Sequence, residues 1–146
     1  MIYFDTSYLA RLYVADPGWE KVRALARTDR IACALHGKAE MWAAFHRKFR
    51  EGVVSPAAFA ALLGQFESDC AANAVEWLPI SSLVLARVSK AYAGLPAAMP
   101  LRAADALHLA CAAEDGFKEV HSNDTHLLGG AYFFGLKGVN IISSRN

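Results

Sequence analysis

The sequence predicts an α/β fold: a central, mostly parallel sheet of about five strands flanked by helices. Two observations carry this. Short apolar runs alternate with longer amphipathic runs from one end of the chain to the other, which is the pattern of β-α units around a parallel sheet. The short runs are apolar at consecutive positions rather than at every second one, as strands covered by helices on both faces must be. With 146 residues, 55% of them hydrophobic, the chain is long enough to bury a core and reads as a single domain, residues 1–146.

Ile2–Asp5 opens as a short strand, and Thr6–Val14 follows with Tyr8, Leu9, Leu12 and Tyr13 at helical spacing. Asp16-Pro17-Gly18 breaks that run before a second helix over Trp19–Ala26. Ile31–Leu35 is a candidate buried strand. Gly37–Arg50 places Met41, Trp42, Phe45 and Phe49 on one helical stripe. Ser55-Pro56 combines a capping hydroxyl with proline at the first helical position, and starts a helix reaching about Ala72. Val75–Ile80 is the third strand, Ser81 or Ser82 caps a helix ending near Gly94, and a loop with two prolines leads to a helix over Leu101–Glu114. Asp115-Gly116 stops it. Glu119–Ser122 is a fourth strand, Asp124–Phe134 a helix closed by Gly135, and Val139–Ile142 the last strand.

The net charge is +1, so no global charge draws the chain to nucleic acid or acidic membranes, and any such binding must come from a local patch. The 3 cysteines, Cys33, Cys70 and Cys111, are scattered in apolar stretches and form no C-x-x-C pair; they read as reduced, buried thiols of a cytoplasmic protein. No basic segment followed by a long apolar run marks a signal peptide, and no apolar run reaches the ~18 residues of a membrane span. A soluble cytoplasmic protein is the expectation.

The chemistry-bearing residues are carboxylates at strand-to-helix corners. In open α/β sheets ligands bind beyond the carboxyl ends of the strands. Asp5 closes the first strand, Glu40 lies in the first turns of the helix after the second, and Asp124 begins the helix after the fourth. Each also suits an ordinary helix N-terminus, where a carboxylate caps backbone N–H groups and meets the positive end of the dipole. Asp105 differs. Its helix, LRAADALHLACAA, is apolar nearly all round, so Asp105 needs a partner: Arg102 or His108 three residues away, or a cation shared with other carboxylates. A hard divalent ion, Mg²⁺ or Mn²⁺, relieves the repulsion of clustered acids and takes oxygen ligands, and such an ion serves phosphodiester hydrolysis.

These residues resemble the PIN-domain ribonucleases, in particular the VapC-type toxins of toxin–antitoxin modules. FDTS carries Asp5; the helix acid Glu40 follows; AADALHLACA carries Asp105; VHSND, followed by THLLGGAYFFGLKGVNII, supplies the hydroxyl-x-Asp pair Ser122 and Asp124. The resemblance covers essentially the whole chain. It implies a Rossmann-like three-layer PIN fold and Mg²⁺- or Mn²⁺-dependent cleavage of single-stranded RNA. It further implies that Asp5, Glu40, Asp105 and Asp124 are the metal ligands and catalytic acids, with Ser7 and Ser122 supporting Asp5 and the fourth acid through hydrogen bonds. As partners it implies an RNA substrate, a small cognate antitoxin whose C-terminal part lies over the active-site groove, and a second copy in a homodimer. Two departures stand out: Asn123 where an apolar residue is common, and Gly129-Gly130, each costing up to ~1 kcal/mol against alanine and loosening the helix that Asp124 begins.

Other features carry weaker signals. His46-Arg47-Lys48-Phe49-Arg50 is basic, and Arg47 lies about two turns from Glu40 on a similar face, within reach of a phosphate or simply solvated. Arg11 and Arg102 are placed to touch phosphate or to neutralise the acids. None of His36, His46, His108, His121 and His126 has zinc-finger spacing, and His108 reads as a buried hydrogen-bonding residue. Tyr132-Phe133-Phe134 suits a core or dimer surface better than a base-stacking platform. Two other function classes remain: a non-enzymatic binding domain whose acids are caps, and an aspartyl-phosphate phosphatase using Asp5, although Ser7 stands where that chemistry wants a second Asp. A dinucleotide-binding domain is disfavoured, because Gly-x-Gly-x-x-Gly is absent after the first strand.

Overall fold

A computed structural model describes residues 1–142. Its elements run β1 (Ile2–Tyr3), α1 (Thr6–Ala10), α2 (Trp19–Ala26), β2 (Ile31–Ala34), α3 (Gly37–Arg50), α4 (Pro56–Ala71), β3 (Val75–Leu78), α5 (Ser82–Gly94), α6 (Ala103–Glu114), β4 (Glu119–His121), α7 (Thr125–Gly130), a 3₁₀ turn over Ala131–Phe134, and β5 (Lys137–Val139). All paired strands are parallel.

The expected five strands form two ladders rather than one continuous sheet. β1, β2 and β3 pair in that order, with Ile2 opposite Ile31 and Ile31 opposite Val75; β4 pairs with β5. A single parallel bridge between Phe4 and His121 joins the ladders, and the Asp5 amide donates to the His121 carbonyl at 3.1 Å. Across the molecule the order is therefore β3-β2-β1-β4-β5. Chain order runs outward from β1 on one side and from β4 on the other, so a topological switch point falls between them.

Alternate residues of each strand enter two cores. Tyr3, Ala32 and Ala34 face α5, α6 and α7, in a cluster with Val84, Leu109 and Leu127. Phe4, Ile31 and Cys33 face α1 to α4, with Tyr8, Met41, Phe45 and Phe66. A helical layer on each side of a parallel sheet is the three-layer arrangement expected from strands apolar on both faces.

Several boundaries differ from the pattern-based expectation. α1 stops at Ala10 because Arg11, Leu12 and Tyr13 donate to carbonyls three residues back, tightening the chain into turns. α6 begins at Ala103; Arg102 is extended and occupies the N-cap position. The helix expected over Asp124–Phe134 is split into α7 and the 3₁₀ turn at the Gly129-Gly130 pair. The last strand lies at Lys137–Val139 rather than Val139–Ile142. Gly135, at φ 72°, turns the chain directly into the ladder, and the Lys137 amide bonds the Lys118 carbonyl at 2.9 Å. Ile141 and Ile142 instead pack against the α1–α4 core, where the Ile141 amide donates to the Tyr8 hydroxyl at 2.9 Å.

One glycine seats the helix that carries Glu40. A Cβ on Gly37 would lie 2.7 Å from the Cys33 sulfur and 3.6 Å from the His108 ring, so only glycine lets the start of α3 settle this closely on β2 and α6.

Candidate functional site

The switch point opens into a cleft of about 450 Å³ whose lining includes Asp5, Glu40, Asp105 and Asp124. The four carboxylates come from β1–α1, α3, α6 and the β4–α7 turn, segments distant along the chain.

Asp5 is buried at the N-cap of α1. Its Oδ1 accepts from the Ser7 hydroxyl at 2.7 Å and from the Tyr8 amide at 3.1 Å, and its Oδ2 accepts from the Ser122 hydroxyl. Ser7 in turn accepts from the Asn123 amide and Ser122 from the Asp124 amide, at 2.9 and 2.8 Å. Two hydroxyl bridges thus tie Asp5 to the end of β4. Burial pushes the Asp5 carboxyl above its ordinary value, a shift only partly offset by the Ser122, Ser7 and Tyr8 hydrogen bonds.

Asp105 is 5% exposed in the first turn of α6, the position whose burial the sequence flagged. Its partner is Arg102, which donates from Nε at 2.9 Å and from Nη2 at 3.3 Å; the same guanidinium reaches Asp124. Asp124 caps α7 through Oδ1, which accepts from the His126 and Leu127 amides, and offers Oδ2 to Arg102. One guanidinium, on a side chain 64% exposed, therefore spans two of the four acids.

Glu40 projects from α3 with a side chain 33% exposed. Its Oε1 accepts from Thr6 Oγ1 at 2.9 Å and lies 2.5 Å from His108 Nε2. Burial opposes ionisation of Glu40, but the hydrogen bonds from His108 and Thr6 outweigh it and hold the carboxyl below its ordinary value. Ligand-type atoms of His36, Glu40 and His108 lie within 4.8 Å of one another, and His36 Nδ1 is buried without a hydrogen-bond partner. Among the described residues this is the one group of three histidine, cysteine, aspartate or glutamate side chains so closely gathered; Asp5, Asp105 and Asp124 line the same cleft without forming such a group with Glu40.

The basic residues divide. Arg47 lines the cleft, as its spacing from Glu40 suggested, and so does Lys48, which pairs with Asp16 at 2.7 Å. Arg11 also lines the cleft but forms no ion pair among the described residues: its guanidinium donates to the Ser7 and Pro17 carbonyls, at 2.6 and 2.9 Å. The Tyr132–Phe134 group lies away from the cleft lining; Phe134 is core and Tyr132 is exposed. Sequence reasoning gave no role to Thr6, His36 or Asp16, all at this site. Thr6 adjoins Asp5 in the FDTS run, and His36 stands one turn before Glu40, but neither spacing alone separates a site residue from a helix start.

The PIN-domain family model matches residues 2–129, most of the chain. The chain belongs to the PIN-domain family. Solved structures agree with the fold of this PIN domain. The FitAB complex bound to an IR36 DNA fragment is 18% identical, with 100% of this chain and 99% of that one covered at a TM-score of 0.72. FitAcB from Neisseria gonorrhoeae is 19% identical, with 96% and 97% covered and a TM-score of 0.71. VapC20 of Mycobacterium tuberculosis, described as a sarcin–ricin loop cleaving toxin, is 18% identical, with 87% and 92% covered and a TM-score of 0.62. No curated protein sequence matches this PIN domain.

Proposed function

We propose that this PIN domain is a Mg²⁺- or Mn²⁺-dependent endoribonuclease acting on single-stranded RNA, and that it is the cytoplasmic toxin of a toxin–antitoxin pair, neutralised by a small cognate antitoxin and assembled as a homodimer. The observation that carries the nuclease reading is the convergence of Asp5, Glu40, Asp105 and Asp124 on one cleft. The donor set suits a hard cation: the groups are carboxylate oxygens, and two of them already share the positive charge of Arg102. When bound there, such an ion would supply charge neutralisation and Lewis acidity toward a phosphoryl oxygen.

The protein's own part is positioning. Ser7, Ser122 and the Tyr8 amide hold Asp5, and Thr6 and His108 hold Glu40. Arg47 gives the cleft wall positive charge suited to the RNA backbone, while the charge of Lys48 is balanced by Asp16. The toxin reading draws on the neighbouring structures, which include a VapC toxin named for cleaving the sarcin–ricin loop and a VapBC2 complex bound to promoter DNA. A phosphatase reading is disfavoured because both Asp5 oxygens are engaged by donors, leaving a poor nucleophile.

The test is cleavage of a single-stranded RNA in Mn²⁺ by the wild type, Asp5→Asn and Asp105→Asn. Each substitution is expected to abolish cleavage and leave the fold intact. Either variant cutting at the wild-type rate would end the metal-site reading, and a wild type that leaves RNA whole would favour a binding domain.

A further inference from the structure

We infer that His108 is the positioning residue of Glu40, with its tautomer imposed by the hydroxyl of Tyr3. The chain of hydrogen bonds begins in the core, where Tyr3 of β1 lies opposite Ala32 of β2. The Ala34 amide donates to the Tyr3 hydroxyl oxygen at 3.1 Å. Tyr3 has one proton to give, and the acceptor within reach is His108 Nδ1, at 2.8 Å. Nδ1 therefore carries the lone pair and Nε2 the proton. That proton points at Glu40 Oε1, 2.5 Å away.

Two other assignments fail on the same count. A ring protonated on both nitrogens would point Nδ1–H at Tyr3, leaving the tyrosine proton without an acceptor inside the core. A metal ion held by His36, Glu40 and His108 through Nε2 would force the proton onto Nδ1 and meet the same conflict; His36 Nε2 is moreover engaged with the Ala104 carbonyl at 3.0 Å. The histidine–glutamate cluster is thus a hydrogen-bonding device rather than a second metal centre. Its anchored end is buried, with His108 2% exposed, and its free end reaches the cleft. The hydrogen bonds to Glu40 from Thr6 and His108 both end on Oε1; among the described residues none reaches Oε2, which is left for a cation. Orienting partners of this kind set ligand geometry at metal sites.

The role in metal binding rests on the nuclease reading above, whereas the hydrogen-bond chain does not, and two measurements separate them. Imidazole ¹⁵N NMR of the full chain should show His108 protonated on Nε2 alone, and Tyr3→Phe should lose that single-tautomer signature. Calorimetry with Mn²⁺ should show affinity weakened about 10- to 100-fold in His108→Leu and largely recovered in His108→Gln, whose amide can donate to Glu40 and accept from Tyr3. If His108→Leu does not fold, Tyr3→Phe carries the calorimetric comparison. A wild-type ring protonated on Nδ1, or Mn²⁺ affinity unchanged in a folded His108→Leu, would overturn the inference. If the wild type binds no Mn²⁺ at all, it is the nuclease reading that fails, and the NMR result alone decides the link between Tyr3, His108 and Glu40.

Discussion

Asp124 divides its work between two oxygens: Oδ1 caps α7 and Oδ2 faces the cleft. Asp5 likewise caps α1 while being drawn toward β4 by two serines. Capping a helix and lining the cleft, which looked like alternatives in the sequence, are combined in the same side chains. Burial makes the Asp5 carboxyl hold its proton more tightly in the folded state than its ordinary value of 3.8 allows. Its contribution to stability is therefore full below the unfolded value and is lost as pH rises through the raised folded value. Asp5→Asn does not titrate. In denaturant unfolding without divalent ions, its stability relative to wild type should accordingly climb as pH rises above the ordinary carboxyl value and level off once the buried Asp5 has ionised. A difference that stays flat with pH would show that the Ser7, Ser122 and Tyr8 donors fully offset the burial.

Among the elements, α7 is the one whose weakness was visible beforehand, because adjacent glycines at its end lower helix propensity. The two glycines are nevertheless not equivalent. A Cβ on Gly129 would meet only the Met99 sulfur at 3.7 Å, an ordinary contact, whereas one on Gly130 would press to 2.8 Å against Leu101 and 3.2 Å against Leu109. Gly129→Ala should raise stability by about 0.5–1 kcal/mol. Gly130→Ala should lower it, both read by thermal unfolding. Gly130 thus answers to packing against α6, which no propensity argument could separate from its neighbour. The same holds for the last strand: Ile141 and Ile142 look like strand residues, but the chain reaches the ladder earlier, at Lys137, and sends them to the other core.

At the scale of the molecule, strand order places the site. β1 and β4 lie side by side at the point where chain order reverses, so Asp5 and Asp124, 119 positions apart by their numbers (124 − 5 = 119), sit at one edge. Arg102 partly balances the resulting acid cluster, and a divalent ion bound only by the folded state would add stability. Saturating Mn²⁺ should raise the melting temperature of the wild type, by the equivalent of about 2.7 kcal/mol at a hundred times the dissociation constant. Asp105→Asn should lose most of that shift. An equal Mn²⁺ shift in both proteins would place the ion elsewhere. Among the described residues no helix is long and apolar enough to cross a membrane.

The alternation of apolar and amphipathic runs was enough to determine a helix-covered parallel sheet, because burial on both faces leaves no polar position in the central β2, while Glu76, Glu119 and Lys137 sit on strands nearer the edges. The same local logic singled out Asp105, a charge that an apolar helix cannot leave unpaired. Which cation meets that charge, how His108 spends its two nitrogens, and where Thr6 and His36 point were decided only by tertiary structure. Arg102 was already visible three residues from Asp105, but the choice of it over His108 depends on β1, α3 and α6 meeting at one edge, where Tyr3 and Glu40 engage His108; partners 68 and 105 positions apart leave no periodic trace in the chain.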